Sequence, residues 1–418
     1  MNPLAKRIRR TYLILMLGNT LAASFIWGIN TLFLLDAGLS NLEAFAANAF
    51  FTAGMVIFEV PTGVIADTWG RRTSYLLGTL TLSASTLLYY LLWATSAPFW
   101  QWALVSMLLG LGFTFFSGAV EAWLVDALKF ARYQGSLENI FGNGQMVAGA
   151  AMLGGSIAGG IIAQATSLGV PFLLRVGVLA LMFVVAYVLM HDLGFTPNRG
   201  AKPIKAVRTV FNASLEHGLK NPPVRWIMIS APFLTGVGFY AFYAMQPYLL
   251  ELYGDPTAYS VAGLAAAIVA GSQILGGWSA PKIRGLFRKR TTALILGSIV
   301  SAATLVLLGF TNLFWLALVL LVIWGLIFAA DMPIRQAYLN GMISSKQRAT
   351  VLSFDSLMGS TGGVVIQPVL GKAADVYSYS TSYIFAAGFQ ILAVPFIIKS
   401  RRELHEADIM VGSGSSSK

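Results

Sequence analysis

The sequence predicts an all-α membrane protein of twelve transmembrane helices in two pseudo-symmetric six-helix bundles. Three observations carry this. Of 418 residues, 56% are hydrophobic and only 11% charged, where soluble domains carry about 25% charged residues. Apolar runs of about 20 residues recur along the chain, the length that crosses a hydrocarbon core of roughly 30 Å. The cationic residues gather on alternate connections, and the second half repeats features of the first.

The apolar segments run over 11–36, 44–66, 73–95, 99–126, 139–165 and 170–191, then 224–250, 258–280, 291–311, 313–341, 350–376 and 380–399. Of the 28 Lys and Arg, 25 fall at the termini or on the even-numbered connections: Lys6 to Arg10, Arg71 and Arg72, Lys129 and Arg132, Arg199 to Arg225, Lys282 to Arg290, Lys346 and Arg348, and Lys399 to the C-terminus. Only Arg175, Arg335 and Lys372 lie within segments. A miscounted segment scatters these charges, so twelve is the count, and the positive-inside rule places both termini in the cytoplasm. The formal net charge of +11 is therefore topology, with the lipid bilayer and not nucleic acid as partner. The chain has no cysteine, and its three histidines, His191, His217 and His405, stand apart. No metal or cofactor is expected, and no clustered catalytic set suggests an enzyme.

The longest connection splits the chain. Residues 1–191 form an N-terminal bundle, 192–223 a cytoplasmic linker, 224–400 a C-terminal bundle and 401–418 a cytoplasmic tail without fixed structure. In the linker, Ile204, Val207, Val210, Phe211 and Leu215 share helical spacing with Lys205, Arg208 and Lys220 between them, the pattern of an amphipathic helix lying on the membrane surface. Asn221-Pro222-Pro223 breaks it. Laying Ala53-Gly54 on Ala270-Gly271 also brings Arg71-Arg72-Thr73 onto Arg288-Lys289-Arg290, while Asp67 meets Arg284.

The stretch Glu59 to Arg72, EVPTGVIADTWGRR, joins the second and third segments. Its Gly63, Asp67, Gly70, Arg71 and Arg72 match at every fixed position the G-x-x-x-D-x-x-G-R-R hairpin of the major facilitator superfamily, which this chain resembles over residues 11 to 400. The resemblance implies a transporter working by alternating access, monomeric by default, in a bacterial inner membrane. It also implies that the hairpin acid and arginine join Asp126, at the end of segment 4, in a latch. That latch holds the outward-open state and breaks as the halves rock. Ordinary surface ion pairs of about 0–1 kcal/mol are the plainer alternative.

Other acids lie deeper. Glu59 sits roughly 12 Å further into the membrane than Asp67. The family lines its cavity with segments 1, 4, 7 and 10, which carry Glu121 and Asp331 at similar depths. Arg335 is four residues from Asp331, on one helix face, and can pair with it. A carboxyl whose surroundings change from wet to dry takes up and releases a proton, so Glu59, Glu121, Asp331 and Arg335 are the candidates for coupling to a proton gradient; a static ion pair is the alternative for the last two. Asn19, Trp27, Asn30, Phe239, Tyr240, Tyr243, Gln246 and Trp324 are candidates for the cavity wall, where aromatic faces attract cations, or else for packing. Gly155, Gly159 and Gly160 in segment 5 are similar to part of the antiporter motif of the drug-export branch, although Ala151 and Ser156 stand where it has Gly and Pro. Small residues also allow close helix packing. Pro368 and Gly371 suit a kink in segment 11. The function this favours is proton-coupled export of small amphipathic or cationic compounds, a multidrug antiporter. The alternative is a proton- or sodium-coupled importer of a sugar, organic acid or nucleoside.

Overall fold

The computed structural model of the protein describes residues 2–116, 118–197, 218–343, 348–403 and 406–409. The linker helix expected around 204–215 lies outside these residues. Among the described residues ten helices are long and apolar enough to cross a membrane, and a bent pair makes an eleventh span; the helix Arg348–Val376 is as long but less apolar. The first segment consists of α1 (Pro3–Trp27) and α2 (Asn30–Asp36), bent by 46° at Gly28-Ile29. Next come α3 (Asn41–Trp69) and α4 (Arg71–Ala94). The fourth segment is α5 (Phe99–Thr114) followed by α6 (Ala119–Phe130), with Gly118 left-handed at φ 68° before α6. Then follow α7 (Leu137–Ala165) and α8 (Gly169–Leu189). The second half is unbroken: α9 (Pro222–Tyr253), α10 (Tyr259–Gly285), α11 (Arg290–Phe310), α12 (Phe314–Gly341), α13 (Arg348–Val376) and α14 (Tyr379–Arg402). The helices satisfy their own backbone groups, as a bilayer requires.

Local chemistry explains several ends. Asn2 caps α1 by accepting from the Ala5 amide at 2.8 Å. Ser40 and Glu43 form a capping box at the start of α3, the Ser40 amide donating to Glu43 Oε2 at 2.9 Å. Asn221-Pro222-Pro223, read from the sequence as a breaker, instead starts α9: proline lacks the amide that a first helical turn leaves unused.

The chain forms two compact units. The first comprises Met1–Leu39, Phe50–Val207 and Pro256–Ala267; the second Ser40–Ala49, Arg208–Asp255 and Ile268–Lys418. The first turns of α3 thus belong with the second unit, and those of α10 with the first. In the second unit Asp375 of α13 accepts from the Asn41 and Leu42 amides at 2.9 and 2.8 Å. There Phe45 stacks near Tyr240, with ring centroids 4.8 Å apart. In the first unit Gln164 of α7 accepts from the Ser260 amide at 3.0 Å, and the backbones of Gly160 and Gly263 touch. Each unit has an apolar core, built on Tyr12, Leu15, Tyr75, Trp123 and Leu124 in the first. Ile227, Ile334, Tyr338, Val351 and Ile397 build the other.

The third segment of each bundle starts against an acid supplied from beyond the sixth. In the first unit Asp192 accepts from the Arg72 amide at 2.9 Å. In the second, Asp408 accepts from the Thr291 amide at 2.8 Å and its hydroxyl at 2.9 Å. Asp408 lies in a short turn, Glu406–Asp408, and is buried. Within the tail expected to lack fixed structure, residues 406–409 therefore form an ordered turn against the start of α11, whose first turn needs acceptors for its free amides.

Asp408→Ala is expected to speed hydrogen exchange at the Thr291 amide about fivefold, the equivalent of roughly 1 kcal/mol for a lost cap. Unchanged exchange there would count against the cap. Asp192 lies outside the membrane segments, and burial raises its carboxyl above the ordinary range despite Arg72 and Arg71 nearby. The folded state then holds the proton more tightly than the unfolded one. Its contribution is whole below the unfolded value of 3.8 and is lost as the pH rises through the folded value. Asp192→Asn is therefore expected to shrink the fall in thermal midpoint between about pH 4 and pH 7, measured in detergent.

Candidate functional site

The hairpin between α3 and α4 is an assembled polar site. Gly70 has φ 104°, and a Cβ on it overlaps the Asp192 carboxylate, so only glycine fits. Arg71 pairs with Asp67 at 2.6 Å within the hairpin, and its guanidinium lies 5.9 Å from the Phe195 ring. Arg72 donates to the Tyr187 carbonyl at 2.5 Å and stacks 4.8 Å from that ring. Asp67 is half exposed, so its ion pair alone contributes little.

In the arrangement seen, the hairpin arginines are held by Asp67, Tyr187 and Asp192, and among the described residues Asp126 does not join them. The stretch after α8 touches both α6 and the hairpin: Trp123 donates to the His191 carbonyl at 2.7 Å, Gly194 meets the Asp126 carbonyl, and Asp192 takes the Arg72 amide. Nothing in the local pattern around Asp192 marks it. Gly63 faces open space, so close packing accounts for Gly70 and not for Gly63.

The deeper acids differ from one another. Glu59 lies on an exposed face of α3. Glu121 occupies the first turn of α6, where a helix start favours an anion, and it interacts electrostatically with Tyr12 of α1. Asp331 lies within α12 with its carboxylate against α11, where a side chain on Gly297 has no room. The expected pairing of Asp331 with Arg335 is not formed. Arg335 instead binds Asp355 of α13 with both terminal nitrogens, Nη2 reaching Oδ1 at 2.6 Å, and donates to the Ile227 carbonyl of α9 at 3.1 Å. Asp355 offers a two-toothed, buried acceptor, which a neighbour one turn along the same helix cannot match. Among the described residues Asp331 has no ion-pair or hydrogen-bond partner.

The cavity candidates divide. Tyr240 is fully buried, donating to Ser382 and packed near Tyr383. Trp324 is equally buried, stacked on Phe328 at 5.4 Å. Both pack the second unit, and Gln246 is buried there too. Phe239 covers Gly363, and Tyr243 packs edge-on to Phe242 at 5.6 Å. In the first unit Asn19 accepts from the Tyr75 hydroxyl at 2.6 Å, while Trp27 and Asn30 flank the bend between α1 and α2. The small residues pack as their size allows: Gly155 meets Ser24, Gly159 the Phe25 carbonyl and Gly160 the Tyr259 carbonyl. Pro368 lies inside α13, and Gly371 receives Phe45 and the Asn41 carbonyl.

Comparison with known proteins places these features. The family described as Major Facilitator Superfamily matches residues 11–330 and again 285–413. An uncharacterized MFS-type transporter of Methanocaldococcus jannaschii, MJ1560, is 22% identical over 227 residues. That match covers 54% of this chain and 56% of the relative, so it spans little more than half the relative's length. Among solved structures, a mutant of the nucleoside transporter NupG superimposes with a TM-score of 0.79 at 12% identity, covering 94% of this chain and 99% of that one. A bacterial homologue of the human lysosomal transporter Spinster, inward-facing and unoccupied, gives 0.74 at 16% identity, over 98% and 99%. A POT family transporter in complex with 5-aminolevulinic acid gives 0.70 at 13% identity, over 95% and 96%. At such identities these likenesses concern the fold. The family match covers most of the chain, so this chain is a member of the major facilitator superfamily, a multi-pass membrane protein with the fold of that superfamily's transporters.

Proposed function

We propose that the protein is a proton-coupled exporter of small amphipathic or cationic compounds. The observation that carries this reading is the carboxyl of Asp331, held within a membrane-length helix with no cation or donor on it among the described residues. A lone charge in such surroundings is costly, so the group changes protonation whenever its surroundings change between wet and dry. That is the requirement for coupling transport to a proton gradient. Glu121, at the break in the fourth segment of the other bundle, supplies a second acid. Unpaired acids suit a cationic cargo, and the glycine contacts of α7 support the likeness to the drug-export branch. The hairpin arginines, Asp67 and Asp192 serve as the conformational latch, with both termini on the cytoplasmic face.

The rival reading is coupled import of a nutrient such as a sugar, an organic acid or a nucleoside. The fold of NupG gives that last class a place, at 12% identity.

The deciding experiment is efflux of a lipophilic cationic dye from cells expressing the protein, with and without a protonophore. Efflux that the protonophore stops supports the proposal; absence of efflux favours the importer. Asp331→Asn and Glu121→Gln are expected to reduce gradient-driven efflux at least tenfold while the purified proteins remain folded. Wild-type pH dependence in both variants overturns the assignment of the proton site. Asp67→Asn is expected to slow turnover several-fold and leave dye binding unchanged; loss of binding refutes the latch.

A further inference from the structure

We infer that Arg335 is shared between two acids, Asp355 and Asp331, and that its exchange between them loads and releases the transported proton. The inference rests on the proton-coupled reading above and adds Asp355 as a positioning residue, which no sequence pattern suggested.

The geometry is that of one cation placed within reach of two anions. Asp331 and Arg335 are four residues apart on α12, a rise of roughly 6 Å and the spacing of facing side chains. The guanidinium is turned to Asp355 and the Ile227 carbonyl. Its Nε is buried and has no acceptor, so one donor remains uncommitted. Two carboxylates and one guanidinium carry a net charge of −1, and a single proton neutralises the set. Buried charge left unpaired is strongly unfavourable, which puts that proton on whichever acid Arg335 does not hold. In the arrangement seen, Arg335 holds Asp355 and the proton resides on Asp331. When Arg335 turns to Asp331, one proton leaves Asp331 and one is taken up by Asp355, so charge is conserved in the step.

Among the described side chains, the other charged groups on the surrounding helices are committed or distant; Lys282 of α10 lies over the Trp278 ring. Arg225 of α9 and Lys399 of α14 lie over the Trp226 ring. Arg290 of α11 donates to the Ala407 carbonyl. Asp375 of α13 caps α3. On α13, Lys372 is roughly 25 Å along the helix from Asp355, and on α9, Glu251 is roughly 36 Å from Ile227. Glu403 and Asp408 act on Tyr338, one turn beyond Arg335, whose hydroxyl meets Ser400. Arg401 and Arg402 follow Ser400 at the end of α14.

The test is an infrared pH titration of the protonated-carboxyl band of the purified full-length protein, with no substrate needed. Asp331→Asn identifies the Asp331 band by removing it. In Asp355→Asn, Arg335 has only Asp331 to hold, and the band is expected to vanish at a pH lower than in wild type by about one unit or more. In the neutral pair Asp355→Asn with Arg335→Gln, which keeps the shape of the contact and folds even if the single variant does not, it is expected to persist to a pH higher by a similar amount. A loss at the same pH as wild type in the neutral pair, or no Asp331 band in wild type, overturns the exchange. Failure of the proton-coupled reading shows separately, as wild-type dye efflux that the protonophore leaves untouched.

Discussion

A helix that begins at a membrane surface leaves its first amides without partners inside the helix, and their satisfaction decides where acids sit in this chain. Four helix starts are closed by a side chain from a distant helix or turn. Asp192 closes α4 and Asp408 closes α11; Asp375 closes α3 and Gln164 closes α10. In each case the acceptor is far away in sequence, so the contact fixes where two remote stretches meet. The hairpin glycine and the placing of residues 406–409 accompany these contacts. Helix propensity supplies the rods; the caps set their registration.

The interior of the second bundle follows a related rule, the avoidance of uncompensated charge. Arg335 takes the partner that satisfies two of its nitrogens at once, across to α13, and a backbone carbonyl of α9 as a third acceptor. One guanidinium thereby ties three helices together. Asp331, a single turn away, is left to the apolar wall of α11. Strength in one contact leaves its neighbour without a counter-charge, and the proposed proton coupling starts from that imbalance.

Much of this was legible in the amino-acid order. The run of spans followed from length and hydropathy, because the bilayer punishes a short or polar segment. The hairpin was legible through Gly70, whose type the backbone demands, and through the Arg71 and Arg72 that follow it. Asp331 stood out because an acid within a long apolar run is rare. What was not legible lay between elements. Spacing along α12 paired Asp331 with Arg335, since periodicity sees only one helix at a time, while the true partner sits on another. Asp192 and Asp408 follow their helices in short polar stretches that look like ordinary connections. Tyr240 and Trp324 have the chemistry of a cavity wall, but enclosure by neighbouring helices makes them packing residues, and residue type does not report enclosure.

The two acids that close α4 and α11 come from corresponding places, just past the sixth helix of each half, and each meets the start of the third helix of that half. The sequences around them have diverged: one start is preceded by Gly70 and the other by Lys289. The same need, acceptors for the free amides where the third helix begins, is thus met in the same way twice within one chain. Whatever is measured on one of these contacts can be repeated on the other as an internal replicate.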